Sequence, residues 1–186
     1  METRKAKQAR SQEGFFEKYC KGHGIDIGCG NDKITDEADG WDNNPEFGYN
    51  SGDAMHVQGV EDEKYDYVNA SHILEHLEDP WCALQNWSRI LKHGGYMIVM
   101  VPHRDLYEKK AQPPSKWNVE HLWFFTNEKE HDEKALSLEK LLTEALEHVG
   151  EFEIEFIRVR DSGHTITDPN IHSNGEISIE AVLRKK

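Results

Sequence analysis

Apolar and polar positions fall into short blocks along this chain, and the period changes at clear punctuation. Gly24-Ile25-Asp26-Ile27-Gly28 is a brief, mostly apolar run that enters Gly28-Cys29-Gly30, the pattern of a strand passing into a tight turn. Further short strands are expected near Ala38–Asp42, Gly52–Val57 and Tyr65–Ala70. Asp79 and Pro80 then mark a helix start, and Trp81, Ala83, Leu84, Trp87, Ile90 and Leu91 continue its apolar face to Lys92-His93-Gly94-Gly95. Tyr96–Val101 is apolar without alternation, which predicts a central parallel strand covered on both faces. Ser137 caps a second helix, with Leu138, Leu141, Leu142, Ala145, Leu146 and Val149 on one stripe and Gly150 as its stop. Two strands, Phe152–Arg160 and Glu176–Arg184, close the chain. Ahead of the first strand, residues 4–20 are polar with Phe15, Phe16 and Tyr19 on one side, an amphipathic entry helix.

Strands alternating with helices predict a three-layer α/β sandwich around a mostly parallel sheet, with an antiparallel pair at the end. The 186 residues are most simply one domain (1–186), with an N-terminal helical segment at 1–23. Residues 103–134 are irregular, contain Pro113-Pro114 and carry several aromatics, so they are expected to form a substrate cap.

Charge narrows the partners. Lys plus Arg number 22 against 35 Asp plus Glu, a net charge of −13, which repels a phosphate backbone and disfavours duplex nucleic acid. Cys20, Cys29 and Cys82 show no paired spacing, which argues for a reducing compartment. No secretory leader or membrane-length apolar run is read, so a cytoplasmic protein, monomeric or homodimeric, with no membrane partner is expected.

The glycine turn is the first chemical signal, because glycines at a strand exit let a ligand approach the backbone. Asp42, at the end of the next strand, could take a ribose diol. Lys33 stands where a third glycine of G-x-G-x-x-G would be, so a phosphate cradle is incomplete. Only Asn31 to Asp39 separates turn from second strand, too short for the usual helix. His72-Ile73-Leu74-Glu75-His76 also spells H-x-x-E-H, a zinc-hydrolase pattern in which two histidines on one helix would hold the metal.

Taken together, these residues resemble the class I S-adenosylmethionine-dependent methyltransferases over nearly the whole chain. Asp26-Ile27-Gly28-Cys29-Gly30 resembles the first motif, Gly40-Trp41-Asp42 the ribose motif, and Gly52-Asp53-Ala54 the adenine segment. Tyr65–Val68 with Ser71–Leu77 resembles strand four and its turn, and Leu91–Tyr96 the entry to strand five, with His93 replacing Pro. The resemblance implies a Rossmann-like seven-stranded sheet with an antiparallel last strand, in a compact form with a reduced first helix. It also implies S-adenosylmethionine as cofactor, held by Asp26, Gly28, Cys29, Gly30, Asp42, Asn43, Asp53, Ala54, Ser71 and His72. This cofactor has no phosphate, so the missing glycine costs little.

The expected reaction is methyl transfer to a small-molecule acceptor, an oxygen of a sugar, lipopolysaccharide precursor or natural product. His121, within His-x-x-x-Phe-Thr, and His103, directly after strand five, are the candidates for base or acceptor positioner. No metal is expected in this reading. The alternatives are a cofactor-binding subunit without catalysis, a nucleic-acid methyltransferase, and the zinc hydrolase.

Overall fold

A computed structural model describes residues 2–47, 50–132 and 134–186. Its main sheet has seven strands in the order β3-β2-β1-β4-β5-β9-β8. They are β1 Gly24–Ile27, β2 Asp39–Asp42, β3 Asn50–Ser51, β4 Tyr65–Ser71, β5 Leu91–Pro102, β8 Phe152–Arg160 and β9 Ser178–Lys185. Strands β1 to β5 are mutually parallel. The last strand, β9, runs antiparallel to both β5 and β8 and lies between them. The antiparallel strand therefore sits inside the sheet, and β8 forms the edge. Two further short strands, β6 Phe125–Thr126 and β7 Leu136–Ser137, pair beside it.

Alternate residues along the central strands face two different cores. Val68, Ala70, Met97, Val99, Ala181 and Leu183 pack on the side of α3 (Pro80–Ile90) and α4 (Leu138–Leu146). Tyr67, Ile98 and Val182 pack on the other side with Phe15 and Tyr19 of α2 (Phe15–Tyr19). The period of two in β-structure assigns these faces, and burial on both explains the unalternated run of β5. The third layer is completed by α1 (Glu2–Gln12), whose Arg10 meets Glu180 of β9 in a fully buried ion pair at 2.6 Å.

Local chemistry sets the element ends. The Asp79 carboxylate accepts the Cys82 amide at 3.0 Å with Pro80 at the first helical position, and Ser137 Oγ accepts the Lys140 amide at 3.2 Å. Three expectations are corrected. The entry helix breaks into α1 and α2 at Gly14, whose φ of 66° is left-handed. The helix after Ser137 stops at Leu146, short of Gly150. The third strand occupies Asn50–Ser51, and Gly52–Val57 is a turn because Asp53 captures it: its carboxylate accepts the Met55 amide at 2.8 Å and its carbonyl the Val57 amide at 3.0 Å.

No helix stands between β1 and β2. Ile34 and Ala38 from the connecting loop fill the core there instead. Asp26, buried in β1, fastens that loop: its carboxylate accepts from the Ile34 amide and, at 2.6 Å, from Asn69 Nδ2. Among the described residues, no helix is long and apolar enough to cross a membrane.

Candidate active site

The carboxyl ends of β1 and β4 open onto a cavity of about 340 Å³. Its near wall is the turn Gly28–Asp32, and its far wall is built from Ser71, His72, Glu75, His76, Tyr107, Asn118 and His121. This is where an open parallel sheet places a ligand. A larger recess, about 720 Å³ between Asp62, Arg89 and Lys185, lies at the opposite end of the strands, beside the start of β5.

The two glycines have separate reasons to be there. Gly28 has φ of 72°, and a Cβ on it would lie 2.8 Å from Ile73 Cβ, so the turn can pass under the β4 loop only without a side chain. Gly30 has φ of 53°, and nothing lies within 4 Å of a Cβ built there, so its absent side chain leaves room for a ligand. Cys29 is buried, its Sγ 3.5 Å from the Gly30 carbonyl, and burial pushes the thiol up to about 11. It offers a ligand its backbone rather than a thiolate.

Asp42 leaves β2 alongside this turn. One carboxylate oxygen accepts the Gly30 amide at 3.0 Å and the other the Asn44 amide at 2.9 Å. A carboxylate has about four lone-pair sites, so each oxygen retains capacity for a hydroxyl. Asn43 follows it, exposed. Asp53 is also tied up locally, with a close contact to His56 in addition to the Met55 amide. The Ala54 carbonyl accepts Trp87 Nε1 at 2.8 Å, which anchors that turn to α3. Asp42, Asn43, Asp53 and Ala54 do not line the cavity itself; they lie on the β2–β3 side of the turn.

Asp26 is further removed. With 2% exposure and its oxygens occupied by Ile34 and Asn69, it shapes the glycine turn rather than reaching a ligand. Burial pushes its carboxyl up to about 6, against the opposing pull of those two hydrogen bonds.

His103 does not line the cavity. Its Nδ1 accepts the Asp105 amide at 3.0 Å and its Nε2 donates to Asn127 Oδ1 at 2.8 Å, so both ring nitrogens are consumed away from the cavity. His121 is placed differently. The Arg104–Glu108 segment forms a turn of π-helix that presents Glu108 inward, and Glu108 Oε1 accepts His121 Nδ1–H at 2.6 Å. That bond fixes the tautomer and aims Nε2 at the cavity wall. Tyr107 stacks near the same ring at 5.3 Å between centroids, and Asn118 lines the cavity beside it.

The H-x-x-E-H segment does not form the helix that the zinc-hydrolase alternative requires. Leu74–His76 is a single 3₁₀ turn, and His72 adopts φ of 55°. His72 Nε2 instead lies 3.1 Å from Ser178 Oγ. Glu75 is wholly buried, and neither carboxylate oxygen has a hydrogen-bond partner. Residues 122 and 123 are stitched onto this turn: the Leu122 amide donates to the Glu75 carbonyl at 2.8 Å and Trp123 Nε1 to the Leu77 carbonyl at 2.9 Å. Sequence reasoning missed Glu108 and Asn118. The one available signal was an acid at the end of Arg104-Asp105-Leu106-Tyr107-Glu108, beside a predicted active-site edge.

Residues 9–99 match the family model described as a methyltransferase domain, a little under half of the chain. No curated protein sequence matches. Among solved structures, a methyltransferase from Thermotoga maritima superposes with a TM-score of 0.64 at 21% identity, covering 99% of this chain and 91% of that one. One from Archaeoglobus fulgidus gives 0.63 at 17%, covering 98% and 94%. A third, solved with the Trm112 methyltransferase activator of Haloferax volcanii, gives 0.62 at 15%, covering 97% and 93%. Residues 9–99 thus match a methyltransferase-domain model, and the whole chain is similar in fold to solved S-adenosylmethionine-dependent methyltransferases.

Proposed function

We propose that this protein transfers the methyl group of S-adenosylmethionine to an oxygen of a small-molecule acceptor, such as a sugar, lipopolysaccharide precursor or natural product. The observation that carries the reading is the cavity itself, walled on one side by the glycine turn and on the other by His121 and its neighbours. When bound, the cofactor supplies an electrophilic methyl on a sulfonium centre. Gly28, Cys29 and Gly30, with Ser71 and His72 opposite, would hold the methionine end. Asp42 would take the ribose hydroxyls through its spare lone pairs, with Asn43 beside it. Asp53 and Ala54 would flank the adenine. Asp26 acts through the loop it fastens.

Residues 103–134 would cover the acceptor as the cap of a single domain spanning 1–186. His121, held by Glu108, is the residue we assign to receive the acceptor hydroxyl, since its ring lines the cavity and its Nδ1 is already engaged. Alignment of nucleophile and methyl can supply roughly 7–11 kcal/mol of barrier reduction, which leaves little bond-making chemistry to the side chains. A net charge of −13 supports an acceptor other than duplex nucleic acid.

The test is turnover with a panel of hydroxylated acceptors, sugars and phenols among them, read by demethylated cofactor and by a 14-dalton gain in acceptor mass. Formation of both in equal amounts supports the reading. Tight cofactor binding with no turnover on sugars, phenols, amines or nucleic acids would favour a non-catalytic binding subunit.

A further inference from the structure

Glu75 is hard to explain as a structural residue. It is wholly buried, and both carboxylate oxygens lack a hydrogen-bond donor. A buried carboxylate left this way costs several kcal/mol, of order the whole penalty for an unpaired ion. The groups that face it are histidines. His121 Nε2 and His76 Nε2 each lie 3.9 Å from Glu75 Oε1. His72 Nδ1 lies 3.5 Å from the same oxygen. None of these is a good hydrogen bond.

The other nitrogen of two of these rings is already used as a donor. His121 Nδ1–H goes to Glu108 Oε1 at 2.6 Å, and His76 Nδ1–H goes to the Glu120 carbonyl at 3.2 Å. Both Nε2 atoms therefore present lone pairs toward a carboxylate that also presents lone pairs. Three donor atoms converge with nothing positive between them. One ligand atom from each of Glu75, His76 and His121 lies within 4.8 Å of the others. Ligands about 2.0–2.2 Å from a tetrahedral ion sit roughly 3.3–3.5 Å apart, so a modest inward movement closes the site.

We propose that Glu75, His76 and His121 bind a divalent transition-metal ion of the zinc class at the wall of the cavity. Two imidazoles and one carboxylate are the donor set for such an ion and suit magnesium or calcium poorly. The Glu108–His121 and Glu120 carbonyl–His76 hydrogen bonds are the outer contacts that such histidine ligands use to fix their tautomer. Three protein ligands leave an open position, and the cavity lies on that side. The sequence pattern H-x-x-E-H named two of these residues but placed the third wrongly. The third ligand comes from the cap, and His72 bonds to Ser178 instead.

This deepens the reading above and rests on it in one respect: that the cavity takes an acceptor oxygen. With the ion in place, the acceptor hydroxyl would replace a water on the metal rather than bond to His121 Nε2 directly. Held by Glu75, His76 and His121, the ion would supply Lewis-acid polarisation that makes the hydroxyl proton easier to lose to solvent. The cap would then be clamped to the β4 loop by the ion, since His121 belongs to one and Glu75 and His76 to the other.

The test uses untagged full-length protein stripped with a chelator and titrated with Co²⁺. We expect one equivalent to bind, with visible d–d absorption in the intensity range of four- or five-coordination, Zn²⁺ to displace it, and the unfolding midpoint to rise. His76→Ala and His121→Ala should each weaken Co²⁺ at least tenfold, Glu108→Gln should weaken it by about 10–100-fold through His121, and exposed His148→Ala should change nothing. Circular dichroism of each metal-free variant checks that it folds, and His76→Ala, at the half-exposed ligand, is the variant of choice if Glu75→Gln does not. No stoichiometric uptake by wild type, or uptake unchanged in His76→Ala, overturns the metal site. Calorimetry with S-adenosylmethionine on the same stripped sample separates the two readings: cofactor binding without metal uptake refutes only the metal.

Discussion

Replacing Glu180 with Gln should destabilise the protein by roughly 3–5 kcal/mol, the cost of leaving buried positive charge without its partner. Glu180 is fully buried in β9, and its two oxygens serve three arginines: Arg10 Nε at 2.6 Å, Arg158 Nε at 2.7 Å and Arg160 Nη1 at 2.9 Å. Glutamine keeps the volume, so no cavity confuses the result. A small domain holds about 5–15 kcal/mol in all, and with an m-value of about 2 kcal/mol/M the urea midpoint should fall by about 2 M. Burial pushes the Glu180 carboxyl up, but Arg10, Arg160 and Arg158 outweigh it and hold it below the ordinary 4.5. A depressed carboxylate contributes its stability above the unfolded value and loses it as pH falls. The gap between wild type and Glu180→Gln should therefore be full at pH 6–7 and shrink below about pH 4.5. Arg10→Met should cost less, because Glu180 keeps two arginines and Arg10 Nη2 is already unpaired. The consequence reaches the active site, since α1 also carries Lys7, whose Nζ donates to Asp32 Oδ1 at 3.2 Å and to the Lys33 carbonyl at 2.8 Å in the loop after the glycine turn. Cofactor affinity should drop with the anchor. A Glu180→Gln midpoint within experimental error of wild type at pH 7, or a gap that persists undiminished to pH 3, would refute the reasoning.

Gly28→Ala should destabilise by roughly 2–4 kcal/mol, from left-handed φ and the contact with Ile73; Gly30→Ala should cost nearer 1 kcal/mol yet weaken S-adenosylmethionine more, as thermal unfolding with and without cofactor would reveal. Asp26, raised to about 6 by burial, favours folding at low pH and loses that contribution as pH climbs from its unfolded 3.8 through 6; wild type should then lose up to about 3 kcal/mol relative to Asp26→Asn over that interval in pH-stepped urea melts, and parallel curves would contradict it. Asp42→Asn should weaken cofactor binding by about 1.5–3 kcal/mol, as expected for hydrogen bonds to a charged acceptor, and equal affinity would remove Asp42 from the ribose role. His103→Asn should leave cofactor affinity intact, because both ring nitrogens serve the protein rather than the cavity.

The fold was legible where one physical cause dominates. The unalternated run of β5, the Asp79-Pro80 helix start and the short span between Gly30 and β2 each carry their own structural consequence in the sequence, and the missing helix after β1 could be read from loop length alone. The position of β9 inside the sheet could not, because strand order is a choice among tertiary pairings that an apolar pattern does not encode. The turn at Gly52–Val57 was mistaken for a strand because Asp53 binds its own backbone, a local hydrogen bond that hydrophobic patterning ignores.

At the site, the glycine turn and Asp42 were visible because both depend on backbone geometry next to a strand. His121 and His103 looked alike in sequence, and only the partners of their ring nitrogens separate them. Glu108 was invisible because its role comes from one turn of π-helix that folds it inward. Glu75 was seen as a motif letter, but its unpartnered carboxylate is a property of three segments meeting.

The central claim is that the turn Gly28–Gly30 and its neighbours bind S-adenosylmethionine. Isothermal titration of the purified protein with the cofactor and with its demethylated product tests it directly. The account predicts binding of both at one site per chain, at micromolar concentrations, and weakened by Asp42→Asn. Absence of heat from either at millimolar concentration, in protein shown to be folded, would contradict it.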